Sequence, residues 1–301
     1  MSSESVVCIG VFDGVHKGHQ ALIARARQLA DEAGCQVKVI TFNPHPGRVL
    51  RPEGAPAELS SLSDRIDWLT QAGADEVIVM PFTPALATMS PEEFVRHALL
   101  ERTHANAVVV GENFSFGAGA TGTVDTLVEL GEQCGFTAHS LMVADGEENI
   151  SSTRIRRLLH EMGDAEEAAR LLGRPYLMRG IVVHGDARGR LLGYPTANLA
   201  WSADLLVPAD GVYAGWLISH GERAPAAISV GTNPQFNGED QRIEAYVMDR
   251  DDLDLYGQRV AFEFGYLLRA QQTFDSTADF VAQMERDVER ARALVGAPAG
   301  G

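Results

Sequence analysis

Gly10-Val-Phe-Asp-Gly-Val-His-Lys-Gly-His19 follows a short apolar run that begins at Val6 and precedes a segment with helical spacing, Gln20 to Ala33. A strand, a glycine-containing turn and a helix are therefore predicted in that order. The next segment, Gln36 to Phe42, is again rich in β-forming residues. The chain thus begins with a β–α–β unit, which predicts a parallel sheet covered by helices.

The same alternation continues through the first half of the chain. Helices are predicted at 58–71, at 91–100 after a Ser90 cap and at 123–134, and strands at 76–81 and 107–110. We therefore expect an α/β domain of Rossmann type, with helices on both faces of a mostly parallel sheet. One further helical stretch, Ser152 to Leu172, is expected to join this half to the second.

The second half has a different sequence pattern, in which short β-like runs are separated by Gly, Pro, Asn and Asp. These runs lie at 180–184, 211–218, 226–230, 243–248 and 260–267. Closely spaced short strands predict a small antiparallel β-barrel. An amphipathic helix, 276–294, ends it, with a charged face exposed to solvent. We therefore expect two domains, 1–173 and 174–301.

Composition limits the possible functions. A length of 301 residues corresponds to about two domains. The formal net charge of −16 disfavours general binding to nucleic acid or anionic membranes, although a small anion such as a nucleotide remains possible. Three cysteines without a C-x-x-C pair indicate neither a disulfide framework nor a cysteine zinc site. With no export signal or apolar stretch of membrane-spanning length, a cytoplasmic location is expected.

The turn between the first strand and helix has the chemistry of an anion site. Gly14 and Gly18 allow a phosphate to approach the backbone closely. His16 and His19, three residues apart, are expected to face the same way on the first helical turn and to stabilise charge in phosphoryl or nucleotidyl transfer. Two alternatives remain: His19 as a capping or surface residue, and Asp13, His16 and His19 as metal ligands.

This turn resembles the H-x-G-H signature of nucleotidylyltransferases, and its fuller form G-x-F-D-G-x-H-x-G-H is similar to the bacterial FAD synthetase module. Three later segments follow the order of that family: Thr41-Phe-Asn-Pro-His-Pro46, Gly111-Glu-Asn-Phe-Ser-Phe-Gly117 and Ile150-Ser-Ser-Thr-Arg-Ile-Arg156. The resemblance implies transfer of AMP from ATP to FMN. It implies catalytic roles for His16 and His19, a flavin contact by Asp125, and nucleotide or phosphate contacts by Gly10, Phe12, Asp13, Gly14, Gly18, His45, Asn113, Ser152, Thr153 and Arg156.

The residues alone leave some of these roles open. His45 could equally be a structural loop histidine, and Asp125 a helix residue favoured by the macrodipole. Gly117-Ala-Gly-Ala-Thr-Gly122 fits the G-x-G-x-x-G fingerprint of dinucleotide-binding proteins. It follows several β–α units instead of the first, and no acidic residue ends a second strand at the required distance, so NAD binding is disfavoured.

A second dense segment is Gly185-Asp-Ala-Arg-Gly-Arg-Leu-Leu-Gly-Tyr-Pro-Thr-Ala-Asn-Leu199. Its arginines suit phosphates, and the absence of G-K-[ST] excludes a P-loop. Thr196 and Asn198, two apart in an extended chain, point to one side and together suit Mg²⁺ beside ATP oxygens. A hairpin stabilised by polar groups is the alternative reading.

This segment resembles the G-x-P-T-A-N motif of riboflavin kinases. Further segments follow that family's order: Pro208-Ala-Asp-Gly-Val-Tyr213, Gly231-Thr-Asn-Pro-Gln-Phe236, Asp254-Leu-Tyr-Gly257 and Leu268-Arg269. The resemblance implies that Glu244, otherwise an ordinary surface residue, is the base that accepts the riboflavin hydroxyl proton. It implies Mg²⁺ ligands in Thr196 and Asn198, a flavin contact by Arg269, and ATP contacts by Gly185, Arg188, Gly193 and Pro195. Gln235 and Ala270-Gln-Gln272 depart from the family pattern.

Together the two resemblances cover nearly the whole chain and imply a bifunctional riboflavin kinase/FAD synthetase. Riboflavin, FMN and ATP are the expected small-molecule partners, with Mg²⁺ as cofactor and no nucleic acid or membrane partner. Two alternatives remain. A nucleotidylyltransferase of other specificity would keep His16 and His19 but leave the second half unexplained. A non-catalytic flavin-binding protein would keep the fold with one site silent.

Overall fold

The computed structural model describes residues 4–142, 144–145, 148–185, 193–232, 241–250 and 254–296. Contacts between Cα atoms divide the chain into two units, Met1–Ser152 and Thr153–Gly301. No helix in these ranges is long and apolar enough to cross a membrane.

The first unit is built on a five-stranded parallel sheet. Its strands are β1 (Ser5–Ile9), β2 (Gln36–Asn43), β3 (Glu76–Pro81), β4 (Ala105–Gly111) and β5 (Thr137–Leu141). Their order across the sheet is β3-β2-β1-β4-β5. A short antiparallel pair follows, β6 (Ala144–Asp145) and β7 (Glu148–Asn149). The α/β fold is confirmed, and β5 is a strand that the sequence pattern missed.

The helices of this unit connect and cover the sheet strands. They are α1 (Lys17–Ala33), α2 (Pro46–Leu50), α3 (Leu62–Gln71), α4 (Pro84–Ala87), α5 (Pro91–Phe94), α6 (Glu101–Thr103) and α7 (Val124–Cys134), with 3₁₀ turns at Pro52–Gly54 and Ala118–Ala120. A π-helical stretch, Val95–Leu100, joins α5 to α6. The predicted Ser90 cap is present as a capping box with Glu93.

Successive side chains of β1 point to opposite faces of the sheet, and each face carries its own hydrophobic cluster. Cys8 packs with Leu22 of α1 on one face, and Ile9 packs with Leu99 and Leu127 on the other. This two-sided burial is typical of a parallel sheet covered by helices. Burial also raises the pKa of the Cys8 thiol to about 12.

One predicted helix begins later than expected. The pattern 58–71 predicted helix from Glu58, but α3 begins at Leu62 because the Ser61 hydroxyl accepts the backbone N–H of Asp64 at 3.1 Å. Glu58 therefore lies in the loop before the helix. The predicted start of this helix was wrong because residues 58–61 also fit helical spacing, so the pattern did not reveal the cap at Ser61.

The second unit contains a closed antiparallel barrel, as predicted. Its strands are β8 (Tyr176–Val183), β9 (Thr196–Trp201), β10 (Gly211–Ser219), β11 (Glu222–Gly231), β12 (Arg242–Val247) and β13 (Arg259–Ala270). Their order around the barrel is β10-β11-β12-β9-β8-β13. The last helix, α10 (Thr277–Val295), packs on the outside of the barrel, where Ala291 and Val295 meet Val212, Ala214 and Leu268.

The stretch predicted as one helix over 152–172 is interrupted. It consists of α8 (Ser152–Arg157), a π-helical turn (Leu158–Met162) and α9 (Ala165–Leu172). Gly163, in the left-handed region at φ 67°, ends the first part, and Asp164 caps α9. The second unit, Thr153–Gly301, includes α9 together with the barrel. The predicted domain boundary between residues 173 and 174 stays a prediction.

Candidate active sites

The first site lies where β1 ends and α1 begins. Between them the backbone takes three positive φ angles, at Phe12 (55°), Gly14 (77°) and Val15 (40°). Phe12 and Val15 are buried, so packing holds two non-glycine residues in a strained conformation. Strain of this kind is concentrated at functional sites.

The two histidines of this turn form a stacked pair. His16 is the N-cap of α1, and its Nδ1 accepts the backbone N–H of His19 at 3.3 Å. The two ring centroids are 3.6 Å apart. Acceptance at Nδ1 places the proton of a neutral His16 ring on Nε2, which is then a donor. The rings face the same way as expected, but the capping residue is His16, before the helix, and not His19.

A cavity of about 320 Å³ opens beside this pair. Its walls come from the turn and α1, from the residues after β4 and β5, and from the start of α8. Of the residues predicted to bind nucleotide or act in catalysis, it brings together Gly10, Phe12, His16, Gly18, His19, Asn113 and Ser152. A crevice at the carboxyl ends of parallel strands is the usual ligand site of such sheets.

The Asp13 carboxylate is hydrogen-bonded within the protein. Its carboxylate is buried and accepts the backbone N–H groups of Leu59 (2.9 Å) and Ser60 (3.2 Å) and the Ser60 hydroxyl (3.1 Å). The Gly14 N–H donates to the same hydroxyl at 3.0 Å. The residues lining the cavity include neither Asp13 nor Gly14. These bonds give the Asp13 carboxylate an anchoring role for the turn, and the nucleotide contact of Asp13 stays a prediction.

The metal alternative for this turn is also not supported by the geometry. Within the described ranges, no group of three or more His, Cys, Asp or Glu side chains is arranged to hold a metal ion. Asp13, which that alternative needed as a ligand, directs its carboxylate to the loop at 59–60.

The other residues predicted for this site lie outside the cavity lining. His45 follows the cis Asn43–Pro44 bond and caps α2, with its Nδ1 accepting the Gly47 N–H at 3.0 Å. Asp125 is exposed in the first turn of α7. Thr153 and Arg156 follow Ser152 on α8. Their ligand contacts stay predictions, and the capping bond of His45 is the structural role left open above.

The G-x-G-x-x-G segment forms a local loop after β4. Phe116 and Gly122 close it with a β-bridge, and a 3₁₀ turn lies between them. A Cβ on Gly117 would lie 2.9 Å from the backbone nitrogen of Pro91. The first glycine of the segment therefore permits close packing against the start of α5, which explains it without a dinucleotide.

The second site lies on the outer face of the barrel, across β9 and β12. Asn198 is paired directly with Glu244, and Tyr246 with Thr196. The Thr196 hydroxyl donates to Glu244 Oε2 at 2.9 Å. Ala197 and Ala245 alternate with these residues and are buried in the barrel. The structure thus brings together the hydroxyl, amide and carboxylate that the sequence singled out.

Gly185 leaves space for the amide of Asn198. A Cβ at Gly185 would lie only 2.5 Å from Asn198 Nδ2. Gly193, at φ 85°, and the exposed Pro195 lead into β9. Arg188 and the departure at Gln235 lie outside the described residues, so their predicted roles are unchanged.

Two residues beside this site, Ser229 and Tyr194, were not predicted. Ser229 of β11 is paired with Glu244, and Gln271 donates to the Ser229 hydroxyl at 3.2 Å. Tyr194 packs edge-on against Tyr246, with ring centroids 5.1 Å apart. Burial and then the nearby Glu285 carboxylate raise the pKa of Tyr194. Register across the barrel places Ser229, whereas Tyr194 occupies the variable position of the G-x-P-T-A-N segment, which does not specify the residue there.

Arg269, expected at the flavin, is bound to α10. Its guanidinium pairs with the buried Asp287, with Nε 2.9 Å and Nη2 2.8 Å from Oδ2. The Asp287 carboxylate also accepts from Gln283 at 2.9 Å. These bonds give Arg269 a structural role, and its flavin contact stays a prediction.

Comparison with known proteins agrees with both motif sets. Residues 1–154 match the family model for FAD synthetase, and residues 172–295 match that for riboflavin kinase. The chain is 36% identical over 296 residues to the bifunctional riboflavin kinase/FMN adenylyltransferase of Listeria monocytogenes, covering 96% of this chain and 92% of the relative. It is 35% identical over 294 residues to that of Bacillus subtilis, with the same coverage of 96% and 92%.

A solved structure supports the fold over nearly the full length. The crystal structure of a macrolide-efflux protein from Streptococcus pneumoniae superposes with a TM-score of 0.87 at 34% identity, covering 97% of this chain and 95% of that chain. The resemblance drawn from the sequence motifs is confirmed by the family models and relatives. This chain therefore belongs to the family of bifunctional riboflavin kinase/FMN adenylyltransferases.

Proposed function

We propose that this chain phosphorylates riboflavin with ATP to give FMN and ADP, and then transfers AMP from a second ATP to FMN, giving FAD and pyrophosphate. The observation that carries the proposal is that each matched family region contains its own cluster of predicted site residues. One cluster is the stacked histidine pair at the cavity of the first unit. The other is the Thr196, Asn198 and Glu244 group on the barrel.

In the kinase reaction, Glu244 is the general base. Its carboxylate accepts the proton of the riboflavin 5′-hydroxyl while that oxygen attacks the γ-phosphorus of ATP and ADP leaves. The hydrogen bond from Thr196 fixes one carboxylate oxygen, Oε2, and thereby orients the other toward the substrate.

The donor set beside Glu244 fits Mg²⁺. The Thr196 hydroxyl and the Asn198 amide oxygen are hard oxygen ligands of the kind this ion prefers. We propose that Thr196 and Asn198 hold Mg²⁺, which neutralises charge on the ATP oxygens when bound. The Asn198 amide lies against Gly185, and the lack of a Cβ there lets the amide stay on the strand position paired with Glu244.

In the adenylyl transfer, a phosphate oxygen of FMN attacks the α-phosphorus of ATP and pyrophosphate leaves. The nucleophile is already an anion, so placement and charge stabilisation matter more than a base. The Nε2–H of His16 and the ring of His19 donate to phosphate oxygens where negative charge develops. Asn113 and Ser152, which line the same cavity, supply further polar contacts.

The setting of these reactions is also a proposal. Cys8, Cys35 and Cys134 are all free thiols, which supports a reducing cytoplasm as the compartment.

The two active sites can be separated by paired substitutions. Glu244→Gln should lower FMN formation from riboflavin by about 10²- to 10⁴-fold, the usual contribution of a general base. FAD formation from added FMN should be unchanged. His19→Ala should lower FAD formation from FMN by about 10²- to 10³-fold, as for the loss of one charge-stabilising donor, and leave FMN formation unchanged.

The measurement is chromatography of the flavins over time, starting in parallel from riboflavin and from FMN with ATP and Mg²⁺. Glu289→Ala, at an exposed position of α10, serves as a control and should retain both activities. Loss of both activities in each site variant would contradict two independent sites. Absence of any flavin conversion by the unmodified chain would favour a nucleotidylyltransferase of other specificity.

A further inference from the structure

A buried arginine lies behind the turn that carries the histidine pair. Arg65 of α3 is 0% exposed, and none of the reaction steps above uses it. Its Nη2 lies 2.6 Å from Glu58 Oε2 and 3.9 Å from Asp13 Oδ1. Its Nη1 donates to the carbonyl of Phe42 at 3.1 Å. One guanidinium therefore reaches three separate segments of the first unit.

Each of these segments leads to a predicted site residue. Asp13 lies in the turn that ends at His16, and the Phe42 carbonyl lies at the end of β2, just before the cis bond that leads to His45. Glu58 directly precedes Leu59 and Ser60, whose N–H groups hold the Asp13 carboxylate. The arginine thus connects the turn, the loop that holds the turn and the end of the neighbouring strand.

Stability alone is a weak reason for such a cluster. Removing charges from water is costly, and buried ion pairs replaced by apolar residues of similar volume often leave proteins equally or more stable. A catalytic site that works by placing its substrates gives a stronger reason for such a cluster, because a misplacement of about 1 Å can lower the rate by about 10²-fold. The strained backbone at Phe12 and Val15 also needs surrounding structure to hold it.

We propose that Arg65 is a positioning residue for adenylyl transfer. It fixes Asp13 and the loop at 58–60, and through them the turn that places His16 and His19 against the phosphates. This inference rests on the function proposed above for the histidine pair. It adds a residue that no short motif marks and that does not itself touch substrate.

Arg65→Lys is the substitution that tests this role. Lysine keeps the positive charge, but its single ammonium cannot replace the planar fork that reaches Glu58, Asp13 and Phe42 together. We expect the kcat of FAD formation from FMN to fall by about 10- to 100-fold, with the KM for ATP changed less than about threefold. Riboflavin phosphorylation by the same chain should be unchanged.

A double-mutant cycle distinguishes positioning from general destabilisation. In the His19→Ala background, Arg65→Lys should lower the same rate by a clearly smaller factor than in the unmodified chain, because one of the two histidines that it positions is already gone. A purely structural role would cost the same factor in both backgrounds. Equal factors would overturn the inference, whereas a His19→Ala chain that makes FAD at the full rate would overturn the proposed function instead.

Two further variants complete the test. Arg27→Lys changes a partly exposed arginine that pairs with Asp31 and Asp75 on the surface of the same unit, and it should retain the full rate. Glu58→Gln removes one charge of the buried cluster while keeping its shape, and it should show the same dependence on His19. If Arg65→Lys does not fold, the cycle with Glu58→Gln decides, and equal factors there would reject the inference.

Discussion

Gly185 shows how a residue without a side chain determines the position of another side chain. Its Cα approaches the Asn198 amide so closely that a methyl group would lie within 2.5 Å of Nδ2. The obstructed atoms belong to the end of a side chain and not to the backbone. The amide can therefore move away at little cost in stability, but it would leave the place where we propose that it holds Mg²⁺.

We predict that Gly185→Ala impairs the kinase reaction through Mg²⁺. The catalytic efficiency with Mg-ATP should fall by about tenfold, since displacement of a ligand group misplaces the phosphates. The free energy of unfolding should change by about 1 kcal/mol or less. The measurement is the rate of FMN formation at varied Mg²⁺ concentration, together with thermal unfolding.

Two controls accompany this prediction. FAD formation from FMN reports on the other site and should not change. Gly54→Ala adds a methyl group where no atom lies within 4 Å and should leave both activities intact. If Gly185→Ala keeps the normal rate and Mg²⁺ dependence, the Asn198 amide is not a ligand whose position matters.

The sequence predicted which residues belong to the site better than it predicted the role of each side chain. His16 and His19 were expected at a phosphate site, and both line the cavity. Asp13 belongs to the same motif, yet its carboxylate holds the loop at 59–60. A motif records that a residue is needed but not whether its side chain faces the ligand or the protein. Arg65 and Ser229 carry no motif, because their places depend on contacts between distant segments.

A buried ion pair joins the helix α10 to the barrel. Asp287 is almost fully buried, and Arg269 of β13 binds it through two nitrogens. Apolar contacts of Ala291 and Val295 with the barrel continue the same interface. Without Asp287, the largely buried Arg269 guanidinium would lose the carboxylate that compensates its charge.

Asp287→Ala should therefore destabilise the barrel unit by about 3 kcal/mol, the usual cost of removing one partner of a buried pair. Denaturant unfolding followed by tryptophan fluorescence measures this, because Trp216 packs against the same cluster. Glu289→Ala, exposed on the same helix, should change the free energy by about 0.5 kcal/mol or less. Equal effects of the two substitutions would show that the ion pair does not hold the helix.

Element types were predictable where the pattern was long and regular, as for α1 and the five predicted barrel strands. The errors lie where local signals compete with the pattern. The cap at Ser61 shortened a predicted helix, and Gly163 divided another. The strand β9 lies in a segment rich in Gly and Pro, and the register that pairs Asn198 with Glu244 closes it into the barrel.

For the whole molecule, the division between the two units decides where the chain can be cut. The motif-based boundary lies after residue 173, whereas the contacts divide the chain after Ser152. The residues between include α9, whose Ala165, Leu171 and Leu172 are buried and which packs against β8 and β13. The Ala209 N–H also donates to the Leu159 carbonyl at 2.8 Å.

We therefore predict that a fragment of residues 153–301 is more stable than one of 174–301. Loss of Leu171 and Leu172 alone removes roughly 3–6 kcal/mol of the stabilisation that comes from burying apolar side chains. The longer fragment should unfold at clearly higher denaturant concentration and phosphorylate riboflavin, and the shorter one should lose most of its activity at the same temperature. Equal stability and activity of the two would place the boundary after residue 173, because α9 would then contribute nothing that the barrel needs.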